Sequence, residues 1–351
     1  MLESLTLKDF TAFKEAEFDF AAGLNVVVGE NGTGKTHILK VAYSGIYVCA
    51  RGPRESGSSN PTKAYLQSAI ANKLTAVFRP DELGRLARRD RRGRQRSEVT
   101  CKFQGPANTL AFSFNTTSRT EVGIDQVPSA WIEKLPVYLP TRELLTLSPG
   151  FVSLYETSYL PFEETWRDTS VLLGAPLARG PREKRIKELL APLEEAMNGK
   201  VELDEAGRFY LNSGGVSMEM HLVAEGLRKL AMVARLIATG SLVDRGCLFW
   251  DEPESNLNPR IIKLIAGTIV YLAQSGIQVF IATHSLFLLR ELDLLLQQPD
   301  FRRTERQFIG LHRGTGGVDV MQGKSVDDIG DISALQEELG QSERYLEAEP
   351  A

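Results

Sequence analysis

The chain has 351 residues, 42% of them hydrophobic, with 41 Lys and Arg against 45 Asp and Glu and a formal net charge of −4. This balance suits one sizeable folded core or two modest ones and excludes a disordered, collagenous or disulfide-stapled chain. The three cysteines, Cys49, Cys101 and Cys247, stand far apart with no His at ligand spacing. Neither a disulfide framework nor a zinc site follows, and a reducing cytosol is the expected home.

In chain order, Leu5 and Leu7, then Phe18 and Phe20, alternate with polar residues, and Leu24 to Val28 is a continuous apolar run suited to a strand buried on both faces. A glycine-rich turn follows, and from Gly34 to Cys49 the residues Ile38, Leu39, Val41, Ala42 and Ile46 fall at helical spacing. Residues 51–62, rich in Gly, Ser, Pro and Arg, read as a surface loop. Three strands of an antiparallel layer are expected at Lys73–Phe78, Ser97–Phe103 and Thr109–Phe114, with an Arg-rich insertion over 80–97 between the first two. Another strand, Leu135–Leu139, stops at Pro140.

Residues 146–200 carry a helical pattern, clearest in Pro181–Met197, where Ile186, Leu189, Leu190, Leu193 and Met197 form one face. They are read as a separate helical lobe. Strands and turns fill Val201–Met220; after them a helix (225–238), a strand (247–250), a helix (259–273), a strand (277–282) and a helix (285–296) alternate as in a parallel sheet with helices packed on it. The last 25 residues hold eight acids and one Arg, an acidic tail over 323–351. Its acids Asp327, Asp328 and Asp331, with Asp319 ahead of them, have no evident strand frame. No apolar window reaches the roughly 18 to 20 residues a membrane span needs, and the start lacks a basic segment followed by an apolar one, so a cytoplasmic protein without membrane attachment is expected.

Three segments carry chemistry. Gly29-Glu30-Asn31-Gly32-Thr33-Gly34-Lys35-Thr36 fits the phosphate-loop pattern, after a buried strand and before a helix. Its glycines let backbone N–H groups face phosphates, Lys35 reaches the outer phosphates, and Thr36 offers a hydroxyl to Mg²⁺. Cys247 to Trp250 is an apolar strand ending in Asp251 and Glu252, placed to hold a metal's water shell and to polarise an attacking water; on their own, adjacent acids at a strand end also read as solvated turn residues. His284 ends the next strand, 33 positions after Asp251, where a parallel sheet puts it beside the same site as a γ-phosphate sensor. A lone His is otherwise structural.

With Phe10-Thr11-Ala12-Phe13-Lys14, Ala224-Glu225-Gly226-Leu227-Arg228-Lys229 and Asn256-Leu257-Asn258-Pro259, these segments occur in one order over residues 1 to 290. The set resembles the ABC-class ATPase heads of the RecF, Rad50 and SMC type, and especially the ATPases related to the overcoming-lysogenisation (OLD) nucleases of phage defence. The resemblance implies an α/β fold: an ABC-type P-loop ATPase head with a mixed sheet, an antiparallel β layer and a helical lobe. Residues 1–145 would be the nucleotide-binding lobe and 201–322 the segment of signature, second carboxylate motif and switch histidine. It implies ATP and Mg²⁺ as cofactors, with Gly29, Asn31, Gly32, Thr33, Gly34, Lys35, Thr36 and His37 on the nucleotide and Thr36 and Asp251 on the metal. Glu252 would be the general base, assisted by Lys35 and His284, and Gly226 would meet the γ-phosphate held by an opposite subunit.

A homodimer or higher homo-oligomer closing on ATP is therefore expected. The chain departs from the pattern in Ala224, where the family has Ser, and in Pro140-Thr141-Arg142-Glu143, where a glutamine loop would fall. No heptad run supports a coiled-coil arm, and no nuclease domain is apparent. A separately encoded effector, a nuclease or toxin, is the implied partner. A RecF-like DNA repair ATPase and an ATP-gated scaffold without turnover remain open, as does a plain helix start at Gly226. The seven arginines from Arg85 to Arg96 suit either DNA phosphates or a solvated loop.

Overall fold

The structure, a computed structural model, describes residues 1–89, 95–180, 183–243 and 246–348. The chain opens with β1 (Leu2–Phe10), β2 (Phe13–Asp19) and β3 (Leu24–Gly29), then α1 (Lys35–Glu55) and α2 (Lys63–Phe78). It continues through β4 (Arg96–Phe103), β5 (Thr109–Asn115), β6 (Gly123–Gln126) and β7 (Val137–Leu139) to α3 (Phe151–Thr157), α4 (Glu164–Leu173) and α5 (Glu183–Met197). A small meander, β8 (Lys200–Leu203), β9 (Phe209–Ser213) and β10 (Val216–Glu219), leads to α6 (Glu225–Ala238). The remainder is β11 (Cys247–Asp251), α7 (Pro259–Gln274), β12 (Gln278–Thr283), α8 (Leu286–Gln297), β13 (Arg306–Gly314), β14 (Gly317–Gly323) and α9 (Ser333–Ala348).

The central sheet has the order β14-β13-β3-β12-β11-β7, parallel throughout except for the antiparallel edge strand β14. Its inner strands β3, β12 and β11 are apolar at most positions because both faces are covered. Val26, Val28, Leu248, Trp250 and Ile281 point into a core shared with α5, α6, α7 and α8, while Val27, Phe249, Phe280 and Ile309 point into a second core shared with α1, α2 and the antiparallel sheet β2-β1-β4-β5-β6. Each such side chain removed from water contributes about 1.5–3 kcal/mol. The two sheets are tied by the buried Gln278, whose amide accepts from Leu2 N at 2.9 Å and donates to Leu2 O at 2.7 Å and Ala21 O at 2.9 Å.

Lys73–Phe78, read as a strand, is the last part of α2. The short window is rich in β-formers, but Leu66, Ile70, Leu74 and Val77 make a buried helical stripe, and packing decides the outcome. The loop expected over 51–62 starts later, since α1 runs to Glu55 and carries Pro53 in its last turn. The insertion narrows at its far end, because Arg96 and Ser97 belong to β4. Asp319, thought to lack a strand frame, lies on β14 opposite His312 of β13. Asp327 and Asp328 sit in a 3₁₀ turn closed by a reciprocal Ser325–Asp328 capping box.

Candidate functional site

Parallel register brings the C-terminal ends of β3, β12 and β11 together, with Asp251 opposite Ala282 and Thr283 opposite Val28. From β3 the chain turns through residues 30–34 into α1. Gly34 adopts φ 94°, and a Cβ there would lie 2.7 Å from Phe13 Cζ, so only glycine lets the loop close under the β1–β2 turn. Thr33 Oγ1 donates to Glu30 O at 2.8 Å, fixing the crown of the loop. Among the described residues, the N–H groups of Gly32, Gly34, Lys35 and Thr36 have no backbone acceptor. A helix N-terminus of this kind suits an anion. Lys35, 6% exposed, folds over the loop and donates to Gly29 O at 2.8 Å and Glu30 O at 3.0 Å. Burial lowers its pKa, against the opposing pull of Glu252, Asp251, Glu254 and Glu30.

Thr36 Oγ1 donates to Asp251 at 2.9 Å (Oδ2) and 3.2 Å (Oδ1), joining the start of α1 to the end of β11. Asp251 is buried, and desolvation pushes its pKa up to about 6; Glu252 adds to the rise, while the Thr36 hydrogen bond, Lys40 and Lys35 oppose it. A hydroxyl and a carboxylate are hard oxygen donors of the kind Mg²⁺ accepts alongside phosphates and water. Among the described residues no cluster of three or more His, Cys, Asp or Glu side chains has metal-holding geometry.

Beyond Asp251 the chain reverses at Glu252, a non-glycine residue at φ 46°, whose N–H donates to Ala282 O at 2.9 Å. Glu252 Oε1 lies 3.2 Å from His284 Nδ1, with both side chains partly open to solvent. Glu254 is buried behind them: Oε1 accepts from Thr283 Oγ1 at 2.6 Å, and Oε2 has no hydrogen-bond partner among the described residues. Asn258 caps α7 by accepting from Ile261 N, and Asn256, at φ 62°, donates to Glu225 at 2.8 Å. Gly226 therefore sits against this turn, a Cβ on it falling 3.3 Å from Asn256 O.

Of the candidate residues, Gly29, Asn31 and His284 line one cavity; Lys35 folds back on the loop of Gly32, Thr33 and Gly34, Thr36 meets Asp251, Glu252 meets His284, and Gly226 lies against the Glu252–Asn258 turn. His37 is set apart: its ring contacts Thr11 Oγ1 (3.0 Å) and Phe78, and burial drives its pKa down to about 4. Glu143 and Arg142 follow β7, yet Glu143 is turned toward α6, 3.0 Å from Arg228 Nε, and accepts from Leu145 N and Thr146 Oγ1.

Of the arginine run, Arg88 binds Ala12 O and Gly316 O, and Arg96 binds Ser113 and Asp125. Arg91, Arg92 and Arg94 lie outside the described residues.

Two residues escaped sequence reasoning. Lys229, 2% exposed, donates to Glu252 O (2.8 Å), Ser255 Oγ (2.8 Å) and Ser255 O (3.3 Å), and desolvation lowers its pKa to about 8. Arg313, at the end of β13, donates to Asn31 O at 2.6 Å and stands 3.5 Å from Glu30 Oε2, bracing the phosphate loop beside a cavity of about 450 Å³. Their partners are remote in sequence, so no local signal marks them.

Residues 142–290 match the family model described as "AAA domain, putative AbiEii toxin, Type IV TA system", and residues 4–73 match one described as "AAA domain". A 42-residue segment is 50% identical to the DNA replication and repair protein RecF of Streptococcus gordonii, covering 12% of each chain. Another of 55 residues is 42% identical to RecF of Oenococcus oeni, covering 16% of this chain and 14% of that protein. The fold is that of SMC heads. An SMC head bound to the C-terminal winged-helix domain of ScpA superposes with TM-score 0.56 at 13% identity, over 93% of this chain and 98% of that one. A Pyrococcus furiosus Smc head with an extended coiled coil, bound to the C-terminal domain of ScpA, gives 0.51 at 13% identity, over 97% and 99%. The sequence matches are thus to AAA domains and to short segments of RecF, and the fold is that of SMC heads. No helix among the described residues is long and apolar enough to cross a membrane.

Proposed function

We propose that this chain binds ATP with Mg²⁺ and hydrolyses it as an ATP-sandwiched homodimer, and that closing and opening of the dimer governs a separately encoded effector, a nuclease or toxin, in phage defence. The observation that carries the reading is the Thr36–Asp251 hydrogen bond at 2.9 Å, which joins the phosphate loop to the carboxylate strand, with Glu252 and His284 paired 3.2 Å apart. Thr36 and Asp251 would hold Mg²⁺, which when bound offsets phosphate charge. The loop N–H groups and Lys35 bind the phosphates, and Lys35 leaves the carbonyls of Gly29 and Glu30 to do so. Glu252 Oε1 orients a water and takes its proton, and His284 keeps that carboxylate in place while facing the γ-phosphate.

Gly226, at the start of α6, would approach the nucleotide of the second subunit. The defence role is supported by the toxin-family description of the matched segment and by the likeness of the motif set to OLD-type ATPases. The test is light scattering of the Glu252→Gln variant with ATP and Mg²⁺. A shift from monomer to dimer that requires ATP is expected, and a monomer under all conditions would contradict the reading. The RecF-like segments favour a second reading, a DNA repair ATPase. Stimulation of hydrolysis by duplex DNA, fading as salt rises, would select it over the first.

A further inference from the structure

In the resembling family the loop after β7 links the nucleotide to the helical lobe through a glutamine. Here that loop has none, and its one buried carboxylate, Glu143, is taken up by Arg228 and its own turn. A different element reaches from the metal end of the site to the signature helix. Helix α4 begins beside α1: Glu163, its N-cap, pairs with Lys40, which lies one turn beyond Thr36 on α1. Midway, the buried Thr169 donates its hydroxyl to Tyr138 O on β7, and the Tyr138 hydroxyl lies 3.5 Å from Asp251 Oδ2. One face of α4 is clamped to α1 and α2 by Lys73, which contacts Asp168 at 2.6 Å and Glu164 at 2.8 Å, and by Tyr43, which donates to Asp168 at 2.7 Å.

The other end of α4 is held by α6. Arg235, 4% exposed, donates from Nε to Leu173 O at 3.0 Å and from Nη2 to Ala175 O at 2.8 Å, satisfying carbonyls that the helix end leaves open. A ten-residue helix spans about 15 Å, so one rigid rod touches the Asp251 side of the subunit's own site and the helix that carries Gly226.

We propose that α4 is a strut that transmits nucleotide binding at the phosphate loop to the signature helix α6 of the same subunit, with Glu163, Thr169 and Arg235 as its positioning residues. The inference rests on the nucleotide-site reading above. It assigns the lobe coupling to a packed helix and its two anchored ends, where the family uses a loop side chain. Because α4 is pinned to α1 and α6 by buried polar contacts, a shift of the Lys40–Asp251 region moves the rod as a unit.

Hydrogen–deuterium exchange with ADP and Mg²⁺, at chain concentrations where the protein is monomeric, tests it without dimer contacts or turnover. In the wild type, ADP is expected to slow exchange in α4 and in the first two turns of α6. Arg235→Gln is expected to bind ADP within twofold of wild type and keep the α4 response, while losing at least half of the α6 response. Arg235→Lys, which can still reach one carbonyl, restores part of it. Thr169→Val, which cuts the anchor at β7, is expected to weaken both responses and gives an independent reading if Arg235→Gln fails to fold. An α6 response equal to wild type in Arg235→Gln, or in Thr169→Val, overturns the strut. ADP binding by the wild type with no response in α6 overturns it as well, whereas absence of ADP binding refutes the nucleotide site itself.

Discussion

Replacing Lys229 with Met removes the cation that holds the turn carrying Glu252. Two carbonyls, Glu252 O and Ser255 O, lose a buried donor, and so does Ser255 Oγ, which keeps only its own donation to Thr141 O at 3.1 Å. Each group left unpaired costs about 1–3 kcal/mol. Set against this is the net cost of keeping the ammonium charged there, desolvation less the attraction of Glu254, Glu252, Asp251 and Glu225: a pKa lowered from 10.5 to about 8 corresponds to about 3 kcal/mol, which Met would not incur.

The net loss of stability is then about 2 kcal/mol, small enough for the variant to fold. The larger effect falls on geometry. Glu252 at φ 46° and Asn256 at φ 62° occupy a backbone region that costs about 1–3 kcal/mol at each and persists only while its surroundings impose it. Released, the turn relaxes and moves the Glu252 carboxylate by an amount comparable to 1 Å, for which about a 100-fold loss in rate is expected. Single-turnover hydrolysis gives the rate, and a fluorescent nucleotide gives the affinity, expected within threefold of wild type because the phosphate loop is untouched. A folded Lys229→Met protein that hydrolyses ATP within twofold of wild type would refute the claim that Lys229 positions the base.

Gly226→Ala is expected to leave monomer stability nearly unchanged, since the added methyl meets Asn256 O at 3.3 Å and Leu257 at 3.5 Å while the helix gains propensity, yet to weaken ATP-dependent dimerisation at least tenfold by light scattering. If α6 is an ordinary helix start, the dimer will be unaffected. The raised pKa of Asp251 sets a pH window with two consequences. The folded chain holds a proton between about pH 4 and 6 that the unfolded chain has lost, so the buried carboxylate costs stability as pH rises through that window. Conversely, Mg²⁺ competes with that proton, so Mg²⁺ dependence of nucleotide binding is expected to weaken about tenfold per pH step below 6. Titrations with Mg²⁺ at pH 7.5, 6 and 5 check this, and equal affinities at pH 7.5 and 5 would contradict it.

What could be read from the residues alone follows the range over which each signal acts. The phosphate loop, Asp251, Glu252 and His284 were legible because each is a short motif at the end of an apolar strand, and the alternation after residue 225 gave the parallel sheet. Lys73–Phe78 misled because six residues of β-forming character hide a stripe that appears only when Leu66 and Ile70 are included. Strand β13 was missed since Gly310 interrupts its apolar run and its partner, β3, lies at the other end of the chain. Lys229, Glu143 and Arg313 act through partners that only the fold supplies. Their roles depend on which carbonyl or guanidinium arrives beside them, and no periodicity encodes that.

The central claim is that the Thr36–Asp251 junction and Glu252 form one ATP-hydrolysing site. Steady-state phosphate release by the purified chain with ATP and Mg²⁺, compared with Glu252→Gln under identical conditions, tests it most directly. Measurable turnover is expected in the wild type, falling at least 100-fold in the variant while ATP binding persists. Equal rates in the two proteins, or ATP binding by the wild type without any phosphate release, would contradict it and leave an ATP-gated scaffold in its place.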